Sequence, residues 1–222
     1  MQKYNPLDYS RFNLNGDGSN IFKSLLPIER KIWDFALPFQ DKRNDEGHAE
    51  IVTYFALKLN DILRGNRKIT IPAAILHDVG WSQLSKTELK QFYLPNWKEF
   101  DSQLRKRHQE QGVKLAGKLL NEINYPKKHY KEILDIISEH DTRKGFLSLN
   151  DGIVRDADKL WRFIVPHWKM AIRERSESPK TIYDAIKGYF SKKGFFYSNQ
   201  AKEIAKIEFN QLENFISPKT LQ

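Results

Sequence analysis

Cysteine is absent from the 222-residue sequence. Disulfides, thiolate metal sites and thiol catalysis are excluded with it, and a reducing compartment fits. Long apolar runs are missing too. None approaches the ~18 residues that a membrane-spanning helix needs. The N-terminal stretch "MQKYNPLDYSRFNLNGDGSN" is polar and lacks the apolar segment of a secretory signal. The expectation is a soluble, cytoplasmic protein with no membrane partner. Internal repeats, low-complexity segments and convincing strand alternation are also lacking. What is present is a chain 40% hydrophobic and 13% aromatic, enough for one well-packed domain.

The net charge is +9. The basic residues are scattered, with short clusters at 105–107, 126–131 and 191–194. None forms a polybasic tail or alternates with aromatic residues. Nucleic acid is therefore not expected as a partner, whereas a small anionic ligand suits the balance. The oligomeric state leaves no trace in the sequence.

The chain reads as helical almost throughout. Residues 1–20 form an N-terminal arm, broken by Gly16 and Gly18. Apolar residues at helical spacing then mark 24–39, 48–65, 70–80, 102–123, 126–141 and 149–164. Two further helices are expected around 179–190 and 198–216. Asn44 or Asp45 is the expected cap of the second helix and Gly65 its end. Thr70 is the expected cap of the third, with Pro72 in its first turn, and Asn150 or Asp151 caps 149–164. Residues 81–100 read as irregular: a packed loop, or a lid carrying Trp81, Phe92, Tyr93 and Trp97. The class is all-α. A domain over 21–166 is followed by helices over 167–222 that complete or cover it.

Four of the six histidines sit on apolar helix faces. His48 shares a face with Val52, Phe55 and Leu59, and His77 with Ala73 and Ala74. His108 shares one with Leu104, Leu115 and Leu119, and His140 with Ile133, Ile136 and Ile137. Asp78 and the "DAD" of 156–158 add carboxylates in equally apolar surroundings. Each group would cost a few kcal/mol if buried without a partner. One or two divalent cations in the middle of a bundle satisfy all of them at once. Imidazole and carboxylate without sulfur suit manganese, iron, cobalt, nickel or zinc. His129 and His167 stand apart and read as ordinary surface or packing residues.

The order His48, then His77–Asp78, then "RDADKLWRF" resembles the HD superfamily of metal-dependent phosphohydrolases over about residues 40 to 165. In that family the last aspartate sits in an "A-D-x-L" context, which "ADKL" matches at Asp158, leaving Asp156 as a supporting or surface residue. "RHQEQGVKLA" is similar to the "H-x-x-x-G-x-x-x-A" element of members holding two metals. "ISEHD" falls where such members place a further histidine. The resemblance implies an HD-like helical bundle with a central six-ligand site. His48, His77 and Asp158 would hold one ion, His108 and His140 the other, with Asp78 bridging and positioning the reactive water. The chain has neither the double histidine nor the "GYP" signature of the HD-GYP type. It also carries Trp81 where many members have a phosphate-contacting lysine in "HD-x-G-K". Arg143 and Lys144 offer replacement cations for substrate binding. The implied activity is hydrolysis of a small phosphorylated substrate, a nucleotide being the first class expected. The alternatives are a mixed-valence di-iron oxygenase of the HD type, or a non-catalytic scaffold that binds a polyanion.

Overall fold

The computed structural model describes residues 4–9, 12, 16–91, 98–175 and 177–216, with the backbone alone at 98–101. Among these residues there are ten α-helices and no strand. They are α1 (Pro27–Ala36), α2 (His48–Leu63), α3 (Arg67–Leu76), α4 (Lys86–Lys90) and α5 (Lys98–Glu122). After them come α6 (Tyr130–Glu139), α7 (Leu149–Leu160), α8 (Val165–Glu174), α9 (Pro179–Gly188) and α10 (Asn199–Phe215). The chain is all-α, as the apolar periodicity demands.

The central helix is α2, which packs against α3 and α7. Ile51, Val52, Phe55 and Leu59 on it are fully buried, so little of this helix meets water. In turn α3 lies against α6 and α7, and α5 against α6 and the 3₁₀ turn Val79–Gln83. These contacts bring the N-terminus of α2, the C-termini of α3, α6 and α7, and the middle of α5 to one place in the bundle. That placement is what the fold contributes to function.

Helix ends differ from the expectations in instructive ways. Gly47, at φ 82°, precedes α2, and Asp41 caps it from outside by accepting from Gly47 N at 2.8 Å and Ala49 N at 3.0 Å. Asp45 instead turns its carboxylate to Arg43. The same helix ends at Arg64 in the left-handed region, one residue before Gly65. Asn66 caps α3, four residues earlier than expected, leaving Thr70 inside the helix with its hydroxyl donating to Asn60 Oδ1 at 2.7 Å. Ser148 caps α7. The described part of the 81–100 stretch contributes to the 3₁₀ turn, α4 and the start of α5. Phe92, Tyr93 and Trp97 lie outside the described residues, but Trp81 is buried.

Asp156 is a structural residue. Its buried carboxylate accepts from Tyr197 N at 2.7 Å, Ser198 N at 2.9 Å and Ser198 Oγ at 2.8 Å. Ser198 is the cap of α10, so this carboxylate fastens α10 to α7. Glu208 on α10 in turn accepts from Leu7 N at 2.9 Å and from the hydroxyls of Tyr4 and Tyr9. Residues 4–9 are thereby pinned to the last helix.

One close approach governs the site side of the bundle. A Cβ built on Gly80 would stand 1.9 Å from the His108 carbonyl oxygen and 2.4 Å from Gly112 N. Only a glycine lets the turn after His77–Asp78 lie directly on the α5 backbone. Gly80→Ala is expected to cost at least about 2 kcal/mol, because backbone atoms must move apart. A thermal melt unchanged from wild type would contradict this reading.

Candidate metal centre

Four imidazoles converge in the interior. His48 Nε2 and His77 Nε2 are 3.1 Å apart, and His108 Nε2 and His140 Nε2 are 3.4 Å apart. All four side chains are buried, none more than 4% exposed. Asp78 lies between the two pairs and divides its oxygens. Its Oδ2 is 3.3 Å from His48 Nε2 and 3.5 Å from His77 Nε2. Its Oδ1 is 3.2 Å from His140 Nε2 and 3.5 Å from His108 Nε2. Asp158 Oδ1 closes the first group, 3.6 Å from His48 and 3.9 Å from His77.

The orientation of the rings is set locally. His77 and His140 are each the residue that ends a helix, α3 and α6 respectively. Each turns back, and its Nδ1–H donates to the carbonyl three residues earlier, Ala74 O at 2.8 Å and Ile137 O at 2.9 Å. A carbonyl accepts only, so the Nε2 lone pair of the neutral ring points into the site. The ring of His108 is stacked on Trp81, with centroids 3.8 Å apart and planes at 9°. Trp81 thus serves as a platform for this histidine. The ring of His48 stands edge-on to Trp161 at 5.1 Å.

Lone pairs and carboxylate oxygens aimed at one another repel, so the cluster requires positive charge. Protons on the imidazoles meet part of that demand. Burial lowers the pKa of His140, but Asp141 and Asp78 outweigh it and push the group up to about 9. His48 is raised by Asp78 in the same way against its burial. His77 and His108 are lowered by burial. Burial alone would raise Asp78, yet His77 and Arg43 hold it well below the usual carboxylate range. Arg43 Nη2 lies 2.7 Å from Asp78 Oδ2 and 2.9 Å from Asp45 Oδ2.

A metal ion answers the same demand. Imidazole nitrogens bind transition metals at about 2.0–2.1 Å, so two donors on one ion stand roughly 3–3.5 Å apart. The spacings here fall in or near that range. Two groups fit an ion, namely His48, His77 and Asp78, and Asp78, His108 and His140. The hydrogen-bonded Nδ1 atoms of His77 and His140 are the outer support that metal-bound imidazoles ordinarily have.

The cluster opens into a cavity of about 410 Å³, within the usual range of small-molecule sites. Arg43, Arg105, Arg162 and Arg175 line it, facing Asp45, Asp78, Asp141, Asp158 and Glu177. Its far wall comes from the C-terminal helices, through Met170 of α8 and Thr181 and Ala185 of α9. His167 is also in this wall, buried beside Trp161, and burial together with Arg175 keeps its pKa well below the usual value. His129 is buried away from the cluster and packs near Tyr125.

The structure therefore brings His48, His77, Asp78, His108, His140 and Asp158 together. It does not bring Arg143 and Lys144 to them. Arg143 pairs with Glu139 at 2.9 Å and donates to Asp135 O, and Lys144 is exposed. Neither lines the cavity, because the chain after His140 turns away from it. Sequence reasoning missed the four arginines and Asp141. Of the arginines, Arg162 alone left a local signal, four residues after Asp158 on the same helical face.

Comparison with known proteins agrees with the geometry. Residues 46–162, more than half of the chain, match the model of the HD domain family, and the chain belongs to that family. All six converging residues fall within the match. The fold is similar to the crystal structure of a protein described as a predicted HD superfamily hydrolase from an uncultured Thermotogales bacterium. The TM-score is 0.57 at 20% identity, covering 92% of this chain and 95% of that one. No curated protein matches the sequence.

Removing one imidazole from the centre should weaken metal retention. His77→Ala is expected to hold its metal at least about tenfold less tightly, measured by elemental analysis after graded chelation. Wild-type retention would take His77 out of the centre.

Proposed function

We propose that this protein is a metal-dependent phosphohydrolase acting on a small phosphate ester or anhydride. The observation that carries the reading is the division of Asp78 between two histidine pairs at the floor of an arginine-lined cavity. On this reading His48, His77 and Asp158 would hold one divalent ion and His108 and His140 the other, with Asp78 available to both. The ligand set suits manganese, iron, cobalt, nickel or zinc. When bound, such ions supply a Lewis acid for phosphoryl oxygens and acidify water at neutral pH.

The chain's own residues do the rest. With neutral histidines the cavity lining holds four guanidinium groups against five carboxylates. Two divalent cations turn that balance positive, which favours a multiply charged anion. Arg43 and Arg162 already sit against the ligand carboxylates Asp78 and Asp158. Those two guanidinium groups would be placed to turn their donors to phosphate. Arg175 lies at a distance from the ligands, 3.7 Å from Glu177, and suits a non-reacting phosphate oxygen. Trp161, Met170 and Tyr189 give the organic part of the ester an apolar wall. A nucleotide is the first substrate class to test. The segment after residue 166 belongs, on this reading, to the same domain, since it builds that wall.

Protein purified without chelators and without oxygen is expected to carry about two ions per chain and, with manganese, to release phosphate from a nucleotide panel. The His108→Ala, His140→Ala double variant should keep one ion and lose the other. Arg175→Ala should raise KM about tenfold at unchanged metal content. Oxygen consumption by the iron form without phosphate release would replace this reading with an oxygenase.

A further inference from the structure

The dipeptide His-Asp occurs twice at a helix end, as His77–Asp78 after α3 and His140–Asp141 after α6. The backbones match closely. His77 has φ −57° and ψ −38°, and His140 has φ −56° and ψ −32°. Both rings donate from Nδ1 to the carbonyl three residues back. The same local device thus delivers an imidazole and a following carboxylate from two different helices. The first aspartate, Asp78, lies between the histidine pairs. The second lies beyond the far pair.

Asp141 Oδ2 is 3.7 Å from His108 Nε2 and 3.7 Å from His140 Nε2. Asp158 Oδ1 stands 3.6 Å and 3.9 Å from His48 and His77. The two carboxylates occupy corresponding places at opposite ends of the cluster. Each also carries its own arginine, at Asp158 from one turn further along the same segment and at Asp141 from another helix. Arg105 of α5 reaches Asp141 Oδ2 at 2.8 Å, and Arg162 reaches Asp158 Oδ2 at 3.4 Å. Both arginines and both aspartates face the cavity. One difference remains. At Asp158 the two contacts fall on different oxygens, whereas at Asp141 both fall on Oδ2.

We infer that Asp141 is a seventh ligand side chain, the terminal carboxylate of the second metal position, with Arg105 as its positioning residue. The centre is then built as two like halves. His48, His77 and Asp158 form one half, His108, His140 and Asp141 the other, with Asp78 shared. The inference rests on the two-ion reading proposed above. It goes further by giving both positions the same donor set, two imidazoles and one terminal carboxylate besides the bridge. Equal donor sets predict comparable affinities at the two positions, where a second position with two imidazoles and the bridge alone would be the weaker.

The test is titration of the full-length, metal-stripped chain with Co²⁺, followed by calorimetry and by the visible absorption of the bound ion. Wild type should take up two equivalents. Asp141→Asn should weaken one equivalent at least about tenfold and change only that equivalent's spectrum. Asp158→Asn should do the same to the other. Asp141→Glu should restore part of the loss, and Arg105→Gln should produce a smaller loss at the same position. Circular dichroism and melting of each variant establish that it is folded. If Asp141→Asn and Asp141→Ala both keep two equivalents at wild-type affinity while Asp158→Asn loses one, the assignment of Asp141 is overturned and the two-ion reading stands. Uptake of one equivalent or none by wild type overturns both.

Discussion

Two oxygens of one buried carboxylate must each be given a positive partner, and the site is organised around that requirement. Asp78 cannot turn one oxygen toward a histidine pair without turning the other toward the second pair, because both pairs flank it. The chain's own groups meet the requirement in pieces, by a guanidinium at Oδ2 and by the upward shifts that Asp78 produces in His48 and His140. Divalent ions would meet it in one stroke. The stability of the interior and the readiness to bind metal are therefore two aspects of the same electrostatic demand. Metal uptake should release protons and displace the arginine.

Helix ends are the means by which the fold delivers these groups. His48 opens α2, His77 and His140 close α3 and α6, and Asp158 lies in the last turn of α7. A side chain at a terminus can reach inward from a backbone that stops short of the centre, so several helices converge without colliding. His108 comes from the middle of α5 and needs other help. It gets that from Trp81, which presses flat on its ring, and from the glycine that lets the neighbouring turn close on the helix. The C-terminal helices are tied back by Asp156 and Glu208, and they complete the cavity from the opposite side.

Much of this was legible in the sequence, for identifiable reasons. Apolar spacing of 3.6 residues marked nearly every helix, and it also marked His48, His77, His108 and His140 as polar intrusions on apolar stripes. Caps were less legible, since Asp41 reaches α2 across a turn that local spacing cannot foresee. The cations were the least legible. Arg143 and Lys144 were near the ligands in sequence, but the chain turns away after His140. Arg43, Arg105 and Arg175 come from separate segments and meet only in the folded bundle. Asp156 and Asp158 were told apart by the "A-D-x-L" resemblance, and in the fold one faces a helix cap and the other the histidines, as neighbours two apart on a helix must. Asp141 had a signal in the repeated His-Asp dipeptide, which carries meaning only once both copies are seen to close helices in the same way.

The contact of Gly80 with the α5 backbone carries a consequence for dimensional tolerance. Side chains have rotamers, and a spacing set by packed side chains drifts whenever one of them is exchanged. Backbone atoms in direct contact have no such freedom. The span from Asp78 to His108, and with it the separation of the two histidine pairs, is gauged by main chain against main chain at Gly80, His108 and Gly112. The surrounding core can therefore be repacked over evolutionary time with the central distances left undisturbed.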